Sequence, residues 1–162
     1  MATVSVELSI PLTFYNTSIG DTMKENQKPM NWVYIKQFHL NPPYGTLPRE
    51  DSVTREYQRN MVLIKKTTTI VDYLVNKYLS GPHPFVLVPN DYPYYCDKHI
   101  LHYLLWVHPS FKVHNNSQVE KTISAKLYSS HMKYREFVFF ENYDSNKSIP
   151  EITHYHVFIH LE

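Results

Sequence analysis

Residues 150–160, PEITHYHVFIH, set His154, His156 and His160 into a run of strand-forming residues. In an extended chain successive side chains alternate between faces. His154, His156, Phe158 and His160 then share one face, and Tyr155, Val157, Ile159 and Leu161 the other. The second row is apolar or aromatic and suits burial, so the imidazole row is expected to line a cleft or to meet solvent. Neutral imidazole, dominant near pH 7 at a pKa of about 6.5, is both a nucleophile and a leaving group. It is also a metal ligand: residues two apart on a strand stand ~6.6 Å apart and can share an ion. His160 cannot join His154 in such a site, because six steps span roughly 20 Å, so a third ligand would have to be His102, His108 or Asp91. The plainest alternative is a solvated polar face on an edge strand.

The elements that must position these rings can be read from composition and pattern. A chain of 162 residues, 43% hydrophobic and 15% aromatic with only three glycines, is long enough for one folded domain with a single core. A net charge of +1 gives no basic excess with which to neutralise many phosphates, so neither nucleic acid nor an anionic membrane is an expected partner. Cys96 is the only cysteine, which excludes an intrachain disulfide and a zinc site built on thiolates, and fits a reducing compartment. Nothing about Cys96 suggests activation. The opening MATVSVELSI has neither a basic start nor a continuous apolar run, so a soluble, cytoplasmic protein is expected. The glycosylation sequons at Asn16, Asn115 and Asn146 carry no meaning without a secretory route.

Strict alternation over Thr3–Ile10 predicts a half-buried strand, and the polar stretch 16–31 a connector, so residues 1–31 form an appendage to a domain at 32–162. WVYIKQF at 32–38 fits either a strand or the start of a helix. Prolines and a glycine then interrupt the chain in a loop that delivers Arg49 to a helix capped by Asp51 or Ser52. Val53, Tyr57, Met61 and Ile64 form the apolar stripe of that helix. Thr67, Thr68 and Thr69 weaken it, and a second helical stretch carries Ile70, Val71, Leu74 and Tyr78 as far as SGPHP. Strands follow at 85–89 and 102–107, then a helix over 117–131 with Ser117 as cap, then strands at 136–142 and 153–161. In the strand at 102–107, His102, Leu104 and Trp106 share a face. This order predicts an α+β domain with a mainly antiparallel sheet of about five strands flanked by helices. The fourteen tyrosines and eight phenylalanines are expected mainly in the core.

Five short motifs occur in order: LPR at 47–49 before Tyr57, NDYPY at 90–94, HYLLW at 102–106, SIP at 148–150 and HYHVF at 154–158. Together they resemble the family of fungal N-acetylglucosamine-induced proteins, over roughly residues 32–160. More distantly, the asparagine turn, strand, helix, strand and closing histidine strand resemble the histidine-triad (HIT-like) superfamily of nucleotide-binding hydrolases and transferases. That resemblance implies a HIT-like α+β fold and phosphoryl or nucleotidyl transfer on a nucleotide or sugar phosphate, without metal or cofactor. It gives His156 the attack on phosphorus and His154 the task of holding it, Ser148 a phosphate contact and Asn90 a sugar hydroxyl. Asn142 falls in a familiar place in the motif, and Asp91 beside Asn90 joins the ligand-binding set. The sequence departs from the pattern at Phe158, which stands where the third histidine would be, and at DSNKS (144–148), which lacks the usual glycine and glutamine donors. Lys147, Arg49 or His102 could supply those donors. The alternative is a binding module that keeps the pocket without the chemistry. Pairing of edge strands, common in HIT-like domains, would make a homodimer.

Overall fold

The computed structural model describes residues 28–162, so the strand expected at Thr3–Ile10 lies outside the described residues. Four strands form one antiparallel sheet: β1 (Phe85–Pro89), β2 (Ile100–Val107), β3 (Tyr134–Phe140) and β4 (His154–Leu161), in the order β1-β2-β4-β3. The expected sheet of about five strands is therefore one of four among the described residues. The ambiguous segment at 32–38 is a short helix, α1 (Trp32–Lys36), because the Asn31 side chain accepts the Tyr34 N–H and caps it. The histidine strand is β4. It is central, paired on both sides, which removes the edge-strand alternative.

Alternation divides the sheet into two faces, and each has its own cover. Leu105, Val107, Phe139, Tyr155, Val157 and Ile159 meet Val119, Ile123 and Leu127 of helix α4 (Asn116–Ser129). These three α4 side chains are essentially sealed from water, and each contributes about 1.5–3 kcal/mol by burial. The other face, which carries the imidazoles, is covered in two parts. Met30, Ile35, Leu47 and Tyr94 gather over Phe140 and Phe158, and Leu74, Leu79, Ile149 and Ile152 over Leu104 and Trp106. Met30 is buried, and its N–H donates to the Tyr95 carbonyl at 2.8 Å while its carbonyl accepts from Asp97 N–H at 3.0 Å.

Between these two covers runs helix α2 (Asp51–Thr67), none of whose residues is fully buried. Its apolar stripe of Val53, Tyr57, Met61 and Ile64 is only half-buried, which leaves a space between helix and sheet. Thr68 is extended, and the Thr69 side chain accepts the Asp72 N–H to start α3 (Ile70–Leu74), which runs on as a π-helical turn, Val75–Leu79. Two helix caps differ from expectation. The residue before α2 is Glu50, which makes no side-chain capping bond, so neither Asp51 nor Ser52 caps that helix. The cap of α4 is Asn115, not Ser117: the Asn115 side chain accepts the Gln118 N–H at 3.0 Å, while Gln118 Oε1 accepts from His114 N–H at 2.9 Å.

This capping geometry sets an expected result. Asn115→Ala lowers unfolding stability by about 1 kcal/mol in urea titrations, whereas Ser117→Ala stays within about 0.5 kcal/mol of the parent. The reverse order would show that Ser117 holds the helix start.

Candidate functional site

The register of β2 against β4 sets Trp106 opposite His154, Leu104 opposite His156 and His102 opposite Phe158. His102 therefore reaches His156 diagonally, and the two rings touch, Nε2 to Nδ1, at 3.0 Å. All three rings are buried: His102 is 6% exposed, His154 5% and His156 5%. Aromatic rings pack against His102, Tyr94 at 4.8 Å and Phe158 at 4.5 Å, and those two rings lie 6.3 Å from each other.

Protons in this cluster follow from fixed donors and acceptors. The backbone N–H of Tyr94 donates to His102 Nδ1 at 2.9 Å. A nitrogen that accepts has no proton, so neutral His102 carries its hydrogen on Nε2 and donates it to His156 Nδ1. His156 must then be protonated on Nε2. The Asn142 carboxamide lies 3.0 Å from that nitrogen, and the contact is satisfied when the amide turns its oxygen to the ring. His154 has the opposite tautomer. Its Nδ1 donates to the Ile152 carbonyl at 2.8 Å, which leaves the Nε2 lone pair bare, without a protein partner among the described residues and not sealed from solvent.

Burial drives all three imidazoles toward the neutral form. It pulls His102 down to about 3, with the nearby Arg49 guanidinium acting in the same sense. His156 is held well below 6.5 by burial, then by His102, His154 and Arg49. His154 is lowered by burial too, against the opposing hydrogen bond to the Ile152 carbonyl. Burial also pushes the Cys96 thiol up to about 12, so it is not an activated thiolate.

His154 and His156 open on a cavity of about 260 Å³ between the sheet and α2. One side of it is apolar and aromatic, formed by Tyr57, Met61, Ile64, Tyr73 and Tyr78, and Trp106 closes the base. Trp106 Nε1 is buried with no partner among the described residues. On the polar side stand Arg49, Asn90, Asn142 and Ser148. Arg49 is held by a bond from Nε to the Tyr92 carbonyl at 2.9 Å, and its guanidinium lies 4.4 Å over the Tyr94 ring. Among the described residues it has no carboxylate partner.

Of the residues singled out from the sequence, His154, His156, Arg49, Asn90, Asn142 and Ser148 come together on this cavity, with Asp91 at its rim. Asn90 is fixed by the turn itself, its Oδ1 accepting from Tyr92 N–H at 2.9 Å. The Asp91 carboxylate is occupied by Lys77 Nζ and the Tyr78 hydroxyl, each at 2.6 Å; burial opposes its charge, but these bonds keep it below the ordinary carboxylate range. Two candidates stand elsewhere. His102 lies behind His156, and Lys147 pairs with Glu141 at 2.7 Å and Asp144 at 2.8 Å, off the cavity wall. His160 stacks on Trp32 at 4.8 Å, and His108 bonds Ser110. Among the described residues no group of three histidine, cysteine or acidic side chains is placed to hold a metal ion. No helix among them is long and apolar enough to cross a membrane. Tyr94 ends the NDYPY motif and Trp106 the HYLLW motif, and alternation puts Trp106 on the histidine face.

Comparison with known proteins gives three results. A family model described as a protein of unknown function, DUF3605, matches residues 31–160. The chain is 27% identical over 152 residues to N-acetylglucosamine-induced protein 1 of Candida albicans. That match covers 85% of the chain and 54% of the relative, so the chain spans about half the relative's length. The crystal structure of a protein called HTC1 superposes with a TM-score of 0.56 at 19% identity, covering 82% of this chain and 85% of that one, a likeness of fold.

The buried neutral imidazoles make stability depend on pH. Unfolding lets each take up a proton below its ordinary pKa of about 6.5, which the folded form resists. Stability is therefore greatest above about pH 6.5 and falls as pH drops below it, for His102 down to about pH 3. His102→Asn, which keeps an acceptor for Tyr94 N–H, should make the fall below pH 6.5 shallower, since one of the rings that resists protonation is removed. Unfolding free energies that do not change over this range would contradict the neutral, buried assignment.

Proposed function

The chain belongs to the DUF3605 family, and we propose that its cavity binds a small phosphorylated molecule, a nucleotide or a sugar phosphate, for histidine-based phosphoryl or nucleotidyl transfer of the HIT-like kind. The observation that carries this reading is Arg49. A guanidinium without a carboxylate partner, held in an aromatic-walled cavity beside Asn142, Ser148 and two imidazoles, is suited to an anion that brings its own charge. The apolar bay of Tyr57, Met61, Ile64 and Tyr78 suits a flat or apolar group on the same molecule. The cavity, about 260 Å³, lies a little below the roughly 300–1,000 Å³ of pockets that enclose drug-sized ligands.

In the HIT-like resemblance His156 attacks phosphorus, His154 holds it, Ser148 touches the phosphate and Asn90 a sugar hydroxyl. The charge that the DSNKS loop does not supply comes from Arg49, since Lys147 is paired with Glu141 and Asp144. The name of the Candida relative puts phosphorylated amino sugars among the ligands to be tried.

A second reading, a binding module without turnover, is favoured by Phe158. It is fully buried and stacked on His102, so the third triad position offers neither a hydrogen bond nor contact with the cavity.

Calorimetric titration of the full chain with nucleotides and sugar phosphates tests the reading. At least one phosphorylated compound is expected to bind, with affinity about 10–100-fold weaker in Arg49→Gln, the loss of one charge-assisted hydrogen bond. Its turnover should vanish in the double variant His154→Asn/His156→Gln. Absence of any phosphate ligand, or equal affinity in Arg49→Gln, rejects the reading; binding without turnover in the parent selects the binding module.

A further inference from the structure

Resting on the reading of the cavity as a phosphoryl-transfer site, we propose that the attacking atom is Nε2 of His154, and that His156 serves as a fixed hydrogen-bond donor held by His102. An imidazole attacks phosphorus only through an unprotonated nitrogen that reaches the substrate. The one unprotonated nitrogen of His156 is Nδ1, and it is occupied at 3.0 Å by His102 Nε2–H. Its Nε2 carries a proton as long as the Tyr94 N–H donates to His102 Nδ1. For His156 Nε2 to be bare, its proton would have to move to Nδ1, against the proton on His102 Nε2. His102 would then have to give up that proton while its other nitrogen still accepts from a backbone amide, which leaves an imidazolate.

His154 meets the requirement without rearrangement. Its Nδ1–H is anchored at 2.8 Å on the Ile152 carbonyl, a bond that fixes the ring and raises the basicity of the opposite nitrogen. That opposite nitrogen, Nε2, has no protein partner among the described residues, and His154 stands on the cavity wall beside the Trp106 ring, 4.7 Å away. Attack by the Nε2 lone pair forms an N–P bond as the P–O bond to the departing group breaks. The electron pair leaves on a phosphate oxygen as an anion. The Nδ1 proton stays on the ring, so the intermediate is a phosphorylated imidazolium whose charge faces the Ile152 carbonyl. Water then forms a P–O bond, the P–N bond breaks with its electron pair returning to Nε2, and the proton lost by water passes to solvent.

Adenosine 5′-phosphorimidazolide, which delivers an adenylyl group to a nucleophilic imidazole, tests the assignment on the full chain, with the modified residue located by tandem mass spectrometry. The adduct is expected on His154, to persist in His156→Gln, and to disappear in His154→Asn, which keeps a donor near the Ile152 carbonyl but removes Nε2. An adduct on His156 overturns the assignment while upholding the transfer site. Absence of an adduct on either ring in the parent protein overturns the transfer site together with the assignment.

Discussion

A single backbone amide orders the centre of this protein. The Tyr94 N–H has one partner, His102 Nδ1, and that bond determines where the next two protons lie. Because the three rings are 5 to 6% exposed, water cannot exchange one tautomer for another at little cost, and burial keeps each ring neutral. In a buried polar network of this kind each unpaired member is costly. Among the described residues the cluster is paired except where it faces the cavity, at His154 Nε2 and Trp106 Nε1.

The remaining architecture brings that amide to that ring. Tyr94 belongs to the turn between β1 and β2, and its ring lies over His102 and His156 at 4.8 and 5.4 Å. Arg49 is tied to the same turn through the Tyr92 carbonyl and stacks on the same tyrosine. The turn thus positions the cation and the imidazole pair together. Across the cavity, the Asp91 carboxylate joins the turn to the π-helical segment through Lys77 and Tyr78, so both walls share one anchor. The opposite face of the sheet, sealed by α4, contributes stability without touching the site.

Much of this was legible in the sequence because alternation is a local property. The shared face of His154 and His156, that of His102 and Trp106, and the apolar row under α4 all follow from a period of two. Long-range pairing does not follow from it. That His102 reaches His156 depends on the register of β2 against β4, 54 residues apart, and no run of local pattern encodes that offset. Lys147 was a candidate to supply the donors the DSNKS loop lacks, but its charge is taken up locally by Glu141 and Asp144. At the start of α4, Asn115 and Ser117 are both good caps by type, and which one acts depends on where the backbone turns.

The proton pattern of the three rings is directly observable. Long-range ¹H–¹⁵N correlation spectra of the labelled full chain at pH 7, with rings assigned from His102→Asn and His154→Asn, report which nitrogen of each imidazole is protonated. The account predicts protonated Nε2 with bare Nδ1 for His102 and His156, and protonated Nδ1 with bare Nε2 for His154. A bare Nε2 on His156, or a protonated Nε2 on His154, would contradict it.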